Sequence, residues 1–294
     1  MIVKIGAFQL DEPLPHLCDV HAFAVLRPWV DVGGVGSSTI AVLENQFNAE
    51  SLGRLIRPGN FFDFTRYRPV IRLKEGRREI TVPNTFINYA RRPEGNDLVF
   101  FHLLEPHMLG EAYADSLLRV VQRLDVRRYC LFGAMYDAVP HTKPLIVTGT
   151  ATGVAQEALD GLGVQASDYE GPTTIIILMS QEAAKYDIDV MTLIVHLPQY
   201  TQLEEDYAGQ LRLLELICSL YNFPIDLAPV KRKAEEQYAK LTLAMEREPQ
   251  IQQVVRQLET YYEARASKAE DKAPELSPEI ESFLHEMDKR FGRN

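Results

Sequence analysis

The chain has 294 residues, an apolar fraction of 46% and a formal net charge of −10. That length suits one large domain with an appendage, and that apolar fraction supports a full core. The acidic balance, with no basic cluster beyond pairs such as Arg77-Arg78 and Arg91-Arg92, argues against nucleic acid or an anionic membrane as partner.

The first strand is expected at Ala22–Leu26, followed by a glycine turn (Gly33-Gly34-Val35-Gly36-Ser37-Ser38) opening a helix that carries Ile40, Leu43 and Phe47. Phe61 to Val82 alternates, contains Gly76, and reads as a hairpin added to the main sheet. Asp97–Leu104 is a nearly all-apolar strand, and Ala112 to Leu124 a helix with Leu117, Leu118, Val121 and Leu124 on one face. Strands are expected again at 127–133, Thr173–Met179 and Val190–Val195, with a short crossover helix at Ser180–Tyr186. Runs apolar on both faces require helices on both sides of a sheet. The β–α–β rhythm predicts a mostly parallel, doubly wound sheet over residues 1–200.

Beyond Pro198 the pattern turns helical. Thr201-Gln202-Leu203-Glu204 has the form of a capping box, and Leu203, Tyr207, Leu211, Leu214, Ile217 and Tyr221 follow at helical spacing. A second helix is expected from about Pro229 to Arg247 and a third from Pro249, a favoured first-turn residue. This places a helical domain at 201–265, a polar linker at 266–276 and a terminal amphipathic helix at 277–294 bearing Ile280, Phe283, Leu284, Met287 and Phe291. An apolar stripe beyond a linker must dock on this chain or another.

Cys18, Cys130 and Cys218 are scattered, with no metal-ligand spacing. They suit a reducing cytoplasm, and no metal or cofactor is called for. No signal peptide or membrane span is visible at the start of the chain.

The most informative segment is Val139-Pro140-His141-Thr142-Lys143-Pro144. Two prolines stiffen a loop bearing a histidine, a hydroxyl and a cation, just past a predicted strand. The carboxyl ends of parallel strands are where open α/β sheets bind ligands. His141 titrates near neutral pH and suits acid–base or anion-binding work; its favoured reading is a ring that locks the loop. Thr142 and Lys143 are candidate ligand contacts, or surface groups. Glu105, directly after a strand, is equally a general base in a cleft or an acceptor in the crossover loop. Gly33, Gly34, Gly36 and Ser37 are a candidate anion nest, favoured as a tight turn instead, because Thr39 stands where a dinucleotide fingerprint needs glycine. Asp63, Arg66 and Arg68 form a mixed-charge knot read as structural or intersubunit ion pairing. Trp29 beside Asp31 reads as a core or interface anchor, and His196 and Tyr200 as braces at the join with the helices.

Several motifs occur in order: Trp29-Val30-Asp31-Val32-Gly33-Gly34, Asp63-Phe64-Thr65-Arg66-Tyr67-Arg68-Pro69, Glu105-Pro106, Pro140-His141-Thr142-Lys143-Pro144, Tyr169-Glu170-Gly171-Pro172 and Leu197-Pro198-Gln199-Tyr200. Together they resemble the PAC-type proteasome assembly chaperone family, in its prokaryotic branch. The resemblance implies a three-layer α/β sandwich like the phosphorylase/hydrolase-like folds, with a small helical domain after it. It also implies self-association as a ring-like homotrimer, and a non-catalytic chaperone or scaffold role with a protein partner that the sequence does not name. The ending Phe291-Gly292-Arg293-Asn294 lacks the hydrophobic–tyrosine–any tail of members that dock on a core particle. The alternative is a hydrolase or phosphorylase-like enzyme acting on a small anionic or amide substrate, with Glu105 and His141 as its acid–base pair; a third reading is a small-molecule sensor using the same crevice.

Overall fold

Four segments buried along nearly their whole length set the centre of the molecule. The computed structural model describes residues 1–167, 169–267 and Ser282, without the side chains of Val154, Asp160, Gln250, Ala266 and Ser267. In chain order the first elements are β1 (Ile2–Ile5), β2 (Phe8–Asp11), β3 (Val20–Arg27), α1 (Val35–Gln46), β4 (Glu50–Leu55), β5 (Val70–Lys74), β6 (Arg77–Thr81), β7 (Phe86–Ala90) and β8 (Leu98–Leu104). There follow α2 (Gly110–Arg123), β9 (Val126–Asp137), β10 (Val147–Ala151), α3 (Val154–Asp160), β11 (Gln165–Ala166), α4 (Ile175–Ala183) and β12 (Asp189–Pro198). Three longer helices close the described chain: α5 (Tyr207–Tyr221), α6 (Ala228–Met245) and α7 (Pro249–Ser267).

Ten strands form one sheet in the order β1-β2-β4-β7-β8-β3-β9-β12-β10-β11. The central run β8-β3-β9-β12 is parallel, as is the short β10–β11 pair. The remaining pairs are antiparallel. The sheet is therefore mixed, which corrects the expectation of a mostly parallel one. The apolar runs legible in the sequence were the buried central strands. The antiparallel flanks come from short, partly exposed strands that lack such runs.

Alternation along the central strands divides the interior into two cores. Ala22, Ala24, Leu26, Phe101 and Leu131 face one side, where α2 and α4 cover them. Phe23, Val25, Phe100, Cys130 and Phe132 face the other, under α1, α3 and α5. Leu213, Leu214 and Ile217 seat α5 directly on this second core.

Other sequence expectations are corrected here. The run Thr173–Met179 is not a strand, and Ser180–Tyr186 is not a separate helix. Residues 175–183 form α4, continued by a single 3-10 turn at Ala184–Tyr186. A short apolar run fits both periods, and here Ile176, Met179, Ser180 and Ala183 are buried at helical spacing. Thr201 to Glu204 caps nothing, because α5 begins at Tyr207, where the Asp206 carboxylate accepts the Gly209 N–H at 2.8 Å. The hairpin read within 61–82 exists as β5–β6, but it is a separate two-stranded sheet and adds no strand to the main one. The terminal helix at 277–294 and nearly all of the 266–276 linker lie outside the described residues.

Candidate functional site

The loop after β9 is where the sequence concentrated its polar groups, and each of them has an intramolecular partner. His141 is buried. Its N–H donates to the Tyr200 hydroxyl at 2.8 Å, its Nδ1 lies 2.7 Å from the same oxygen, and its Nε2 lies 3.2 Å from Thr242 Oγ1. Burial depresses the His141 pKa despite the nearby charge of Glu259, so the neutral ring is the favoured form. Thr142 Oγ1 donates to Glu259 and Lys143 Nζ pairs with Glu263 at 2.8 Å. The Tyr262 hydroxyl donates to the Pro144 carbonyl at 2.9 Å.

The end of β9 extends the same network. Asp137 Oδ2 takes His196 Nδ1 at 2.7 Å and Arg265 Nη1 at 3.1 Å. Burial opposes that carboxylate, yet His196, the Ala138 N–H and Arg265 together hold its pKa below the ordinary value. Glu259, Tyr262, Glu263 and Arg265 all belong to α7, and Thr242 to α6. A small third core of Ala138, Tyr200, Met245, Val254, Val255 and Leu258 lies beneath these contacts. The stiff loop is thus the bracket that holds the α6–α7 pair.

The glycine turn is likewise filled from within. Gly33 and Gly34 have φ of 60° and 58°, conformations that glycine adopts without strain. A Cβ on Gly33 would meet Asp206 Cβ at 2.8 Å, and the Asp206 N–H donates to the Gly33 carbonyl at 2.8 Å. The free N–H groups of α1 face Asp31, whose carboxylate accepts Ser37 N at 3.0 Å and the Ser37 hydroxyl. That carboxylate occupies the position a bound anion would take.

An open cleft lies elsewhere, between the carboxyl ends of β3 and β8. After β3 the chain turns to α1 on one face of the sheet, and after β8 it turns to α2 on the other. Adjacent parallel strands that part in this way leave a crevice. The cavity measures about 830 Å³ and includes Trp29, Phe64, Tyr67, Glu105, His107 and Met108 in its wall. It gathers segments that are far apart in sequence. The Glu105 N–H donates to the Arg27 carbonyl at 2.9 Å, and the Tyr67 hydroxyl donates to the Glu105 carbonyl at 3.2 Å. The Tyr67 ring meets the edge of His107 with centroids 4.5 Å apart. His107 Nδ1 accepts the Asp63 N–H at 3.3 Å, which leaves the ring proton on Nε2.

Glu105 is the group with unused capacity. Its Oε1 receives only the Ile175 N–H at 3.4 Å, and its buried Oε2 has no partner among the described residues. Burial raises its pKa. Trp29, the chain's single tryptophan, is 55% exposed on the rim, so it is no core anchor. Asp63 and Arg66 approach only to 4.0 Å. Arg68 is exposed and lies apart from the cleft wall.

Glu105 and His141 therefore do not converge. His141 lines a different cavity, of about 510 Å³ against α6 and α7, that shares no residue with the Glu105 cleft. Cys130 is fully enclosed, and burial pushes its thiol up to about 12, which makes it a poor nucleophile at neutral pH. Among the described residues, no group of three or more His, Cys, Asp or Glu side chains could hold a metal ion. No described helix is long and apolar enough to cross a membrane. Tyr67 and His107 carry no direct sequence signal as cleft-forming residues, nor do Glu259 and Glu263 as loop partners, whereas Tyr200 reads from the sequence as a brace at the join with the helices and holds His141. Their pairings span from 38 to 120 residues.

These features define an α/β/α sandwich with an open crevice at its topological switch point and a helical pair clamped beside it. The chain belongs to the PAC2 family, whose model matches residues 25–244. Solved structures agree on the fold. A Mycobacterium tuberculosis proteasome-assembly chaperone homologue is 26% identical with a TM-score of 0.71, over 80% of this chain and 99% of that one. A PAC2 family protein from Streptomyces avermitilis is 24% identical with a TM-score of 0.72, over 81% and 100% of the two chains. A second M. tuberculosis protein, of unknown function, is 23% identical with a TM-score of 0.78, over 97% of each chain. No curated protein matches the chain.

Proposed function

We propose that this chain is a non-catalytic, self-associating protein-interaction module of the proteasome assembly-chaperone kind. In this reading it acts in the cytoplasm as a ring-like homo-oligomer, a trimer, and binds a protein partner through the face that carries the Glu105 cleft. The observation that carries the reading is family membership over residues 25–244, supported by the likeness to the mycobacterial chaperone homologue. The geometry agrees with it: the polar loop and the glycine turn spend their groups inside the chain, and the open crevice has aromatic walls suited to a protein surface. The free cysteines fit a reducing compartment.

The test is co-elution with purified proteasome core subunits, followed by Trp29 emission. A complex at micromolar concentration with a blue shift of the single tryptophan is expected. Separate elution with unchanged emission refutes the proteasome partner. The enzyme reading draws on Glu105 alone, whose pKa burial raises in an open cleft. It requires turnover of a small anionic or amide substrate that Glu105→Gln abolishes.

A further inference from the structure

The cleft at the ends of β3 and β8 carries a negative charge that nothing beside it balances. Among the described residues of its wall, Arg66 is the only lysine or arginine, and its guanidinium faces Asp63 at 4.0 Å. Glu105 is left over. Its Oε1 receives one long bond, from the Ile175 N–H at 3.4 Å, and its Oε2 receives none among the described residues. Burial raises its pKa, and only the Ile175 N–H acts against that rise, so no cation stands close enough to favour the charged form. Protonation does not resolve the matter, because a proton on Oε2 would find no acceptor there either. The terminal torsion of a glutamate is soft, so the carboxylate can turn its free oxygen to the cavity.

The surroundings select the cation that would complete it. A hard metal ion needs several oxygen ligands, and no group of three or more ligating side chains exists among the described residues. The wall is instead aromatic, with Trp29, Phe64 and Tyr67, and Trp29 stands open at the rim. Aromatic faces attract organic cations. An ammonium is compact and strongly hydrated, whereas a guanidinium is planar, weakly hydrated, stacks on rings and matches the two oxygens of a carboxylate with a fork of N–H donors.

We propose that the cleft is a guanidinium site, filled by an arginine side chain of the protein partner, which pairs with the Glu105 carboxylate between Trp29, Phe64 and Tyr67. The proposal rests on the partner-binding face assigned above and names the side chain that face receives. Arginine is favoured at interface anchors for the same reasons.

Titration of the full chain with Nα-acetyl-arginine amide, read by Trp29 emission and by calorimetry, tests it without any partner. A saturable response is expected, at least about tenfold weaker for the citrulline and lysine amides and for Glu105→Gln. A wild type that ignores the probe overturns the proposal and means that the charge is met within the chain. Equal affinity for the citrulline or lysine amide overturns it as well. Should Glu105→Gln fail to fold, Trp29→Leu decides by calorimetry: its ring is exposed, so the fold stands, and unchanged affinity refutes the site. Proteasome core subunits then separate this claim from the one beneath it. Co-elution that Glu105→Gln leaves intact overturns the site and keeps the partner. Probe binding without co-elution keeps the site and removes that partner.

Discussion

The loop at 139–144 and the cleft beside Glu105 both follow strands that flank β3, yet they treat their polar groups in opposite ways. In the loop, both His141 ring nitrogens, the Thr142 hydroxyl and the Lys143 ammonium all bond to the rest of the chain. In the cleft, Glu105 keeps an oxygen without a partner and Trp29 stands open to solvent. Polarity in a stiff loop is therefore no sign of a ligand site, because it serves equally well to clamp a helix. What marks a site is capacity left over once the fold has satisfied itself.

This contrast can be broken or sharpened by experiment. The largest effect is expected from Leu258→Ala, which empties a fully buried position beneath the bracket and should cost about 2–5 kcal/mol. Hydrogen exchange should show α6 and α7 loosening, with the cleft strands still protected. Equal loss of protection at β3 and β8 would show that bracket and cleft are one cooperative unit. His141→Ala removes the ring partner of the Thr242 and Tyr200 hydroxyls, which keep only the Tyr238 carbonyl and the backbone N–H of residue 141, and should cost about 1–3 kcal/mol in denaturant unfolding. An unperturbed midpoint would mean that the loop does not hold the helices.

Acidity should separate the regions by sign. The depressed His141 and Asp137 pKa values mean that the unfolded chain binds those protons more readily. The stability they contribute is present above the ordinary values of 6.5 for His141 and 3.8 for Asp137, and is lost as pH falls toward the folded-state values. Glu105 runs the other way. Its raised pKa means that stability is lost as pH climbs from the ordinary 4.5 through the folded value. Glu105→Gln should remove that loss and modestly stabilise the protein at neutral pH, while the bracket still loosens in acid. A melting curve whose pH dependence is unchanged in Glu105→Gln would refute the assignment. The smallest effect belongs to Lys143→Ala, since an exposed ion pair contributes little; its melting temperature should match wild type.

Much of the fold was legible. Ala22–Leu26, Asp97–Leu104, 127–133 and Val190–Val195 mark the four central strands, because a strand covered on both faces must be apolar throughout. Amphipathic spacing located α2, and Pro249 marked the start of α7. The same criterion misread Thr173–Met179, where a buried helix and a buried strand look alike over so short a run. It also passed over β1, β4 and β7, whose half-exposed residues carry no continuous signal. At the candidate site, Glu105 was marked by its place after a strand, whereas Trp29 was read as a core or interface anchor.

By itself, then, the sequence determined which central strands are buried, where the long helices broadly run and which residues hold chemical potential, since burial and periodicity are written locally. Only the tertiary structure decided which of those residues are already occupied. Hydrogen-bond partners such as Tyr200, Thr242, Glu259 and Glu263 lie between 59 and 120 positions from the loop they hold. No local pattern encodes a pairing over that distance, because it forms only when folding brings the two segments together.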